Sequence, residues 1–562
     1  MFTFWEAALA ITISPVMKQA YSPRVPLRLS QEQRDIIYCT APVVVAQAFA
    51  GTGKSATGVG YAQTYPTKKI LVLSFNRENA SEARLRYPPN VSIATTHGLA
   101  IKCLSEKMKQ RVVNRWGPLA VQSDLDQIGL RCDMRTAAVV RSILHEFFIS
   151  DDDEIDPTLH GQTAKKSLSA SDRTIEAAIP AAKTLWFAMN SENGINGSVT
   201  NTVAIPHDAY LKRFCQSSEN LGFDTVIFDE AQDANPVTLR LLQNQYESKG
   251  PSGANTRVIY LGDRHQAIYE FRGAVNAMER LPSGAVILPL TQSWRFGKRV
   301  ADTANLILSE LKGEGLSIMG MGSDEGHRKG PLALLARTNA ELLQRAAARN
   351  GQGVHWIGGV ENYQINVLND VLALRNGRLS DIQDVFIKRH FQSWHQLEDA
   401  ASVDPTLETL KKLYETYADT IPKLVASILN NAVANPTDAE LILTTAHKAK
   451  GLEWDHVAIA DDYKDVFTQA EAWLSGSQRS FPEQEVNLMY VAVTRAKKSL
   501  TENTQLQEWG NDLEVHRAHR IRQYDPTYKE VEIKQLHHPG KIHARGNPFG
   551  NIASVPGRRK IS

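Results

Sequence analysis

Gly51-Thr52-Gly53-Lys54-Ser55 is a run able to hold a polyphosphate. It follows three β-branched residues, Val43 to Val45, which read as a buried strand, and it leads into a stretch without proline where a helix can begin at Ser55. The two glycines let backbone N–H groups turn inward onto an anion, and the helix start adds the positive end of its dipole. Lys54 would reach the β- and γ-phosphates, and the Ser55 hydroxyl would take a place on Mg²⁺. The cradle is the whole run Ala48, Phe49, Ala50, Gly51, Thr52, Gly53, Lys54 and Ser55, with Ala48 standing where the GxxxxGK[ST] pattern has its first glycine. A tight structural Gly-rich turn is the competing reading.

A second constellation follows the apolar stretch Thr225-Val226-Ile227-Phe228, which ends in Asp229-Glu230-Ala231-Gln232-Asp233. Carboxylates at the end of a buried strand are costly without a cation or a base role to explain them. Asp229 would hold Mg²⁺, directly or through a water, and Glu230 would orient and deprotonate an attacking water. A solvated acidic turn is the alternative; the apolar strand and the upstream glycine run weigh against it. Past a third strand, Val258 to Leu261, Gln266 can sense a γ-phosphate. Tyr269, Phe271 and Arg272 offer stacking faces and a cation for single-stranded nucleic acid. One segment would thus touch both ligands, as coupling hydrolysis to movement requires.

The elements that must position these groups alternate between strand and helix. Ser30 and Gln33 open a helix as a capping box, and the Gln33 amide can also read an adenine edge. Ile70 to Leu73 and Val91 to Ala94 are further strands. Loops at strand C-termini line the ligand crevice of an open α/β sheet. Phe75 there could stack on a base, and Asn76, Thr96 and His97 could bond phosphates; plain packing is the other fate of a lone Phe or His. Residues 101–204 turn helical and hold no catalytic constellation. A second lobe begins near Leu288 and includes Trp294-Arg295, the strand Leu332 to Ala336 ending in Arg337-Thr338-Asn339, and Thr445-Ala446-His447. The amphipathic helix from Glu485 brings Arg495 to an interface.

At 562 residues the chain exceeds one core and should divide into about three or four domains or subdomains. Its net charge of +2 leaves any nucleic-acid surface to local placement of Lys and Arg. Cys39, Cys103, Cys132 and Cys215 lie far apart, which argues against structural zinc or a disulfide framework and suits a reducing compartment. The apolar first fourteen residues are too short to span a bilayer and lack a basic start, so neither a signal peptide nor a membrane span is expected, and Met17 is an alternative start. After His516 ten Lys/Arg face three acids, a composition that suits nonspecific DNA affinity and a merely solvated tail equally.

The ordered set GTGKS, DEAQD, GDRHQAIYEFRGA, HKAKGLEW and YVAVTRA resembles the UvrD/Rep group of superfamily 1 helicases from Leu29 to about Leu500. SFNRENA, HDAYLK (His207 to Lys212), LTQSWRFG, LARTN, IGGVENY (Ile357 to Tyr363) and HKAKGLEWDHV are most similar to the F-box DNA helicase family. Some 28 residues precede the first motif, which leaves no room for an F-box and no support for a ubiquitin-ligase role; nor is there chain enough after Leu500 for a fused nuclease domain. The resemblance implies an α/β fold of two RecA-like P-loop lobes, each with a mainly helical insertion, and ATP with Mg²⁺ held between them. The expected divisions are 1–28 as an extension, 29–100 with 205–287 as lobe 1, and 101–204 as its insertion. Lobe 2 is 288–361 with 437–510, its short insertion 362–436, and 511–562 a basic tail.

Carried over by motif, Gln33 reads adenine, Trp294 stacks on it and Glu453 contacts the ribose. Arg295 and Arg495 act as arginine fingers on the γ-phosphate. Phe75, Asn76, His97, Phe271, Arg272, Arg337, Asn339, Thr445 and His447 grip one DNA strand. The implied activity is 3′→5′ translocation and unwinding in recombination or repair. Its partners would be single-stranded and 3′-tailed duplex DNA and recombinase filaments, in the cytoplasm, at the nucleoid of a bacterium or in a eukaryotic nucleus. A DNA-stimulated ATPase acting as a switch or sensor subunit, as in phage defence, is the alternative, and RNA unwinding a more distant third.

Overall fold

The computed structural model describes residues 28–511 other than 75, 193–201, 218–219, 271–272, 274–275, 283, 325–327, 350–352 and 364. Phe75, Phe271, Arg272, most of the N-terminal extension and the basic tail therefore lie outside the described residues. The chain divides into two compact units. One holds the chain up to Ala48 with Gly53–Leu290 and Asn366–Pro422; the other holds Phe49–Thr52, Thr291–Ile365 and the chain from Lys423.

The first unit is built on a six-stranded sheet of β1 (Val43–Ala48), β2 (Ile70–Ser74), β3 (Val91–Thr95), β4 (Thr225–Asp229), β5 (Arg257–Gly262) and β6 (Val286–Leu290), in the order β3-β2-β4-β5-β1-β6. Every pairing is parallel, so all the strands end on one edge. The inner strands β1, β2, β4 and β5 read as near-continuous apolar runs because both faces are covered, while the edge strands β3 and β6 are partly exposed. Val44, Ala46, Val72, Ile227 and Ile259 pack on one side, and Val43, Val45, Leu71, Val226 and Val258 on the other. The boundary expected at 287/288 moves: Val44 to Ala48 pair in register with Val286 to Leu290, so residues 288–290 complete the first sheet rather than opening the second lobe.

The first insertion is helical as expected, with Pro118–Gln127, Met134–Ile149, Gln162–Leu168 and Asp172–Asn190 closing around Leu144, Phe147, Leu185 and Val121. The helix His207–Gln216 leads from it back into the sheet. The second insertion is also helical, but residues Asn366–Pro422 segregate with the first unit rather than with lobe 2. The contact is specific: the Arg115 guanidinium lies 4.1 Å from the centroid of the Phe386 ring, an attraction between cation and ring face.

The second unit carries a five-stranded parallel sheet of β7 (Leu332–Ala336), β8 (Val354–Trp356), β9 (Leu441–Thr445), β10 (Trp454–Ile459) and β11 (Ala496–Thr501), ordered β8-β9-β7-β10-β11. The helix Glu483–Val493 is buried from Glu485 to its end. The α/β class with two parallel-sheet lobes and helical insertions is thus what the chain folds into. Among the described residues no helix is long and apolar enough to cross a membrane.

Candidate active site

The glycine run forms the turn its composition implies. β1 ends at Ala48 and a helix begins at Lys54, one residue earlier than expected, with Gly51 at φ +74° and Gly53 at φ +86° between them. A side chain at either position would be strained. Gly53 caps the helix with no side-chain bond, leaving its first N–H groups for an anion. Gln33 is a capping box and more: its Oε1 accepts from Ser30 N at 2.9 Å, while its Nε2 donates to the Gly53 carbonyl at 3.3 Å. The amide expected to read adenine is thereby fixed against the cradle itself.

Within the second unit, to which Phe49–Thr52 belong, the Gly51 carbonyl accepts from Trp294 N at 3.0 Å. The Ala50 N–H donates to the Tyr490 hydroxyl at 3.2 Å. Thr52 turns its hydroxyl back to the Phe49 carbonyl at 2.8 Å. Tyr490 was not singled out from the sequence, although it stands inside the YVAVTRA motif.

The charged cluster of the first unit lies at the C-terminal ends of β4 and β5. Lys54 Nζ is 3.4 Å from each Glu230 carboxylate oxygen, with side chains 13% and 19% exposed. Burial works to lower the Lys54 pKa, but the carboxylates of Glu230, Asp263 and Asp229 outweigh it and hold the ammonium above its ordinary value. Burial, and then the charge of Glu230, push the Asp229 carboxyl up to about 6. A half-buried carboxylate pressed by a second negative charge suits a divalent cation, and Ser55 in the first turn of the adjoining helix could supply a hydroxyl for the same ion. Glu230 sits at φ +57°, left-handed for a residue with a Cβ, which is strain of the kind found at working sites.

Two residues quoted in motifs but given no role complete the network. Gln232 donates to Glu230 Oε2 at 2.5 Å and accepts from Asp263 N at 3.0 Å. Asp263 in turn accepts from Gln266 Nε2 at 2.7 Å. The chain of bonds runs Lys54–Glu230–Gln232–Asp263–Gln266 and joins the ammonium to the residue expected to sense the γ-phosphate.

The second unit presents the arginines differently from the sequence expectation. Arg295 Nε is 2.7 Å from Glu453 Oε2, and its Nη1 donates to the Thr494 carbonyl at 3.1 Å. The expected finger and the expected ribose contact are therefore paired with each other. Arg495 is 1% exposed; it donates to the carbonyls of Val491 and Leu452 at 2.9 and 3.3 Å and to Thr494 Oγ1 at 3.1 Å. Trp294 is 57% exposed, open to a stacking partner.

Of the residues expected to grip DNA, Asn76 caps the helix Arg77–Arg86 and Thr445 the turn Ala446–Ala449. Thr96 and His97 open the helix after β3, Asn339 the helix after β7, and His447 lies in the turn after β9. Tyr269 is partly buried. Arg337 departs from its expected role. Its Nε and Nη2 each lie 2.9 Å from a Glu485 oxygen, a bidentate pair that commits the guanidinium within its own lobe. Burial works to raise the Glu485 pKa, but Arg337 and Lys464 hold it below the ordinary 4.5. The pair therefore contributes stability above that value and loses it on acidification through the lower folded-state pKa. Arg337→Met is expected to cost about 1–3 kcal/mol in a denaturant titration; unchanged stability with weakened DNA affinity would return Arg337 to the DNA surface.

Over residues 29–279 the chain matches the UvrD/REP helicase N-terminal domain, and over 378–504 the UvrD-like helicase C-terminal domain. It is 32% identical over 514 residues to F-box DNA helicase 1 of Gallus gallus, an alignment covering 84% of this chain and 49% of that protein. To F-box DNA helicase protein 1 of Schizosaccharomyces pombe it is 29% identical over 544 residues, 87% of this chain and 59% of the relative. To ATP-dependent DNA helicase UvrD2 of Mycobacterium tuberculosis it is 22% identical over 561 residues, 84% of this chain and 78% of that protein. The chain thus spans about half the length of the first of these.

Proposed function

The chain belongs to the UvrD/REP-like helicases of superfamily 1, and from that premise we propose that it hydrolyses ATP to translocate 3′→5′ on single-stranded DNA and unwind duplex in recombination or repair. The observation that carries this reading is the Lys54–Glu230–Gln232–Asp263–Gln266 network beside an uncapped helix start. Polyphosphate is to lie on the turn Ala48 to Ser55, with Lys54 leaving Glu230 for the β- and γ-oxygens. Mg²⁺, held by Ser55 and Asp229, would neutralise charge on those oxygens. Glu230 takes a proton from the water whose oxygen forms the new bond to the γ-phosphorus, as the bond to the β–γ bridging oxygen breaks. Arg295, Arg495 and Gln266 are assigned to the charge that develops on the transferring group, and Gln33, Trp294 and Glu453 to the nucleoside.

The DNA strand is assigned to Asn76, Thr96, His97, Tyr269, Asn339, Thr445 and His447, with Phe75, Phe271 and Arg272. The names of the relatives, F-box DNA helicase and DNA helicase UvrD2, support DNA over RNA as the substrate. Single-stranded DNA, 3′-tailed duplex and recombinase filaments are the proposed partners, at the nucleoid or in the nucleus. Strand displacement on matched 3′-tailed and 5′-tailed duplexes tests the reading, with displacement expected on the 3′-tailed substrate alone. Strong DNA-stimulated ATPase with no displacement on either would make the chain a switch and not a helicase.

A further inference from the structure

The HDAYLK segment has no role in ATP turnover, yet its first turn meets the strand ends assigned to DNA. Asp208, the second residue of the helix His207–Gln216, places Oδ1 3.3 Å from His97 Nε2, with side chains 38% and 37% exposed. Burial works to raise the Asp208 pKa, but the bond to His97 and the charges of His97, His145 and His207 hold it below its ordinary value. The carboxylate is therefore ionised at neutral pH and can only accept, so the His97 Nε2 that faces it carries a proton.

That bond fixes what the other ring nitrogen can do. With Nε2 protonated, a neutral His97 leaves Nδ1 as a bare acceptor, which a phosphate oxygen repels. Only the imidazolium donates from both nitrogens and brings a positive charge. His207 cannot take over the task. Its Nδ1 lies 2.8 Å from the Tyr210 hydroxyl and its Nε2 2.9 Å from Asn114 Oδ1, so one neutral ring satisfies both. Burial, followed by the charges of His97 and Arg77, lowers its pKa despite Asp208. Asp208, His207 and Tyr210 of the HDAYLK helix face His97, and beyond them Arg77 from the helix after β2 acts on His207 and Tyr210, and His145 from the first insertion on Asp208. Tyr210, its pKa pushed up to about 12 chiefly by burial, stays neutral. The His97 ring stands edge-on to those of His207 and Tyr210, at 6.2 and 5.9 Å between centroids, which confines its rotation.

We propose that Asp208 is a positioning residue for the DNA strand: it holds His97 with Nε2–H turned to its carboxylate, so that His97 takes a backbone phosphate on Nδ1 only as the imidazolium. The grip of the first lobe then weakens as pH rises. The inference rests on the assignment of His97 to the DNA surface, and the test separates the two.

Anisotropy of a dye-labelled oligothymidylate with the full chain, at constant salt from pH 5.5 to 8.5, is the measurement. Wild-type affinity is expected to fall by about tenfold across the range, the low end for one charge-assisted phosphate contact at a part-exposed site. His97→Gln should show the weak, high-pH affinity throughout and lose that fall. Asp208→Asn removes the charge and can turn its NH2 to Nε2, leaving the proton of a neutral ring on Nδ1, so its fall should shrink, with near-wild-type affinity at the acid end. An Asp208→Asn profile parallel to wild type, or an equal loss at every pH as from structural damage, overturns the positioning role. His97→Gln binding like wild type at every pH overturns the assignment of His97 itself, whatever Asp208→Asn does.

Discussion

Lys54→Ala is expected to lower the kcat of ATP hydrolysis by on the order of 10²–10³-fold, the usual consequence of removing one preorganised charge from a phosphoryl-transfer site. The ammonium is held above its ordinary pKa by three carboxylates, so it is a fixed positive charge throughout neutral pH. Removing it deprives the phosphate oxygens of a donor and leaves Glu230, Asp229 and Asp263 facing the nucleotide uncompensated. Both changes act on the triphosphate. Single-strand affinity without nucleotide should be unchanged, because Lys54 is held by the carboxylates of Glu230, Asp263 and Asp229 and is not itself assigned to DNA. Steady-state phosphate release and oligonucleotide anisotropy on the same preparation check both halves. Hydrolysis surviving within tenfold of wild type would remove the turn Ala48 to Ser55 from the active site.

Glu230→Gln should have the second largest effect, a fall in kcat of about 10²–10⁴-fold, the range for loss of a positioned general base. The amide preserves shape and can still accept from Gln232, so the network keeps its geometry and loses its proton acceptor. ATP binding should hold or tighten, since a negative charge beside the γ-phosphate disappears. The Asp229 carboxyl should relax toward its ordinary range, because Glu230 is the second cause of its elevation. Single-turnover hydrolysis separated from nucleotide binding distinguishes the cases. A raised KM with kcat untouched would make Glu230 a binding group and not a base.

The placement of the candidate site residues of the first unit is legible in the sequence because each sits at a punctuation mark. Val43 to Val45, Thr225 to Phe228 and Val258 to Leu261 are apolar enough to be read as buried strands, and the polar residues after them can only be at the sheet edge. The open α/β sheet follows from the same pattern, and the two lobes are what the resemblance to UvrD/Rep helicases implies. What the sequence hid is pairing at a distance. Arg337 and Glu485 look like separate surface charges until the fold brings them to 2.9 Å, and Arg295 with Glu453 is the same case at 2.7 Å. No local rule assigns Val286–Leu290 to the first sheet, because its partner is β1. Nor does helical periodicity say that Asn366–Pro422 pack with the first unit, where Arg115 meets Phe386. HDAYLK could be recognised but not explained, since Asp208 acquires meaning only opposite His97.

The strand order has a consequence for how the chain reaches this state. β1 is inserted between β5 and β6, so Val43 waits for Val258 and Val44 for Val286. At about 5–20 residues per second, a ribosome needs on the order of ten to forty seconds to deliver those neighbours. Until then three valines lie unpaired, while the helices of the first insertion, whose contacts are local, can close around their own core. The strand that leads into the glycine turn is among the earliest made and the latest to be locked in. Its birth is therefore the interval in which a holding chaperone would matter most.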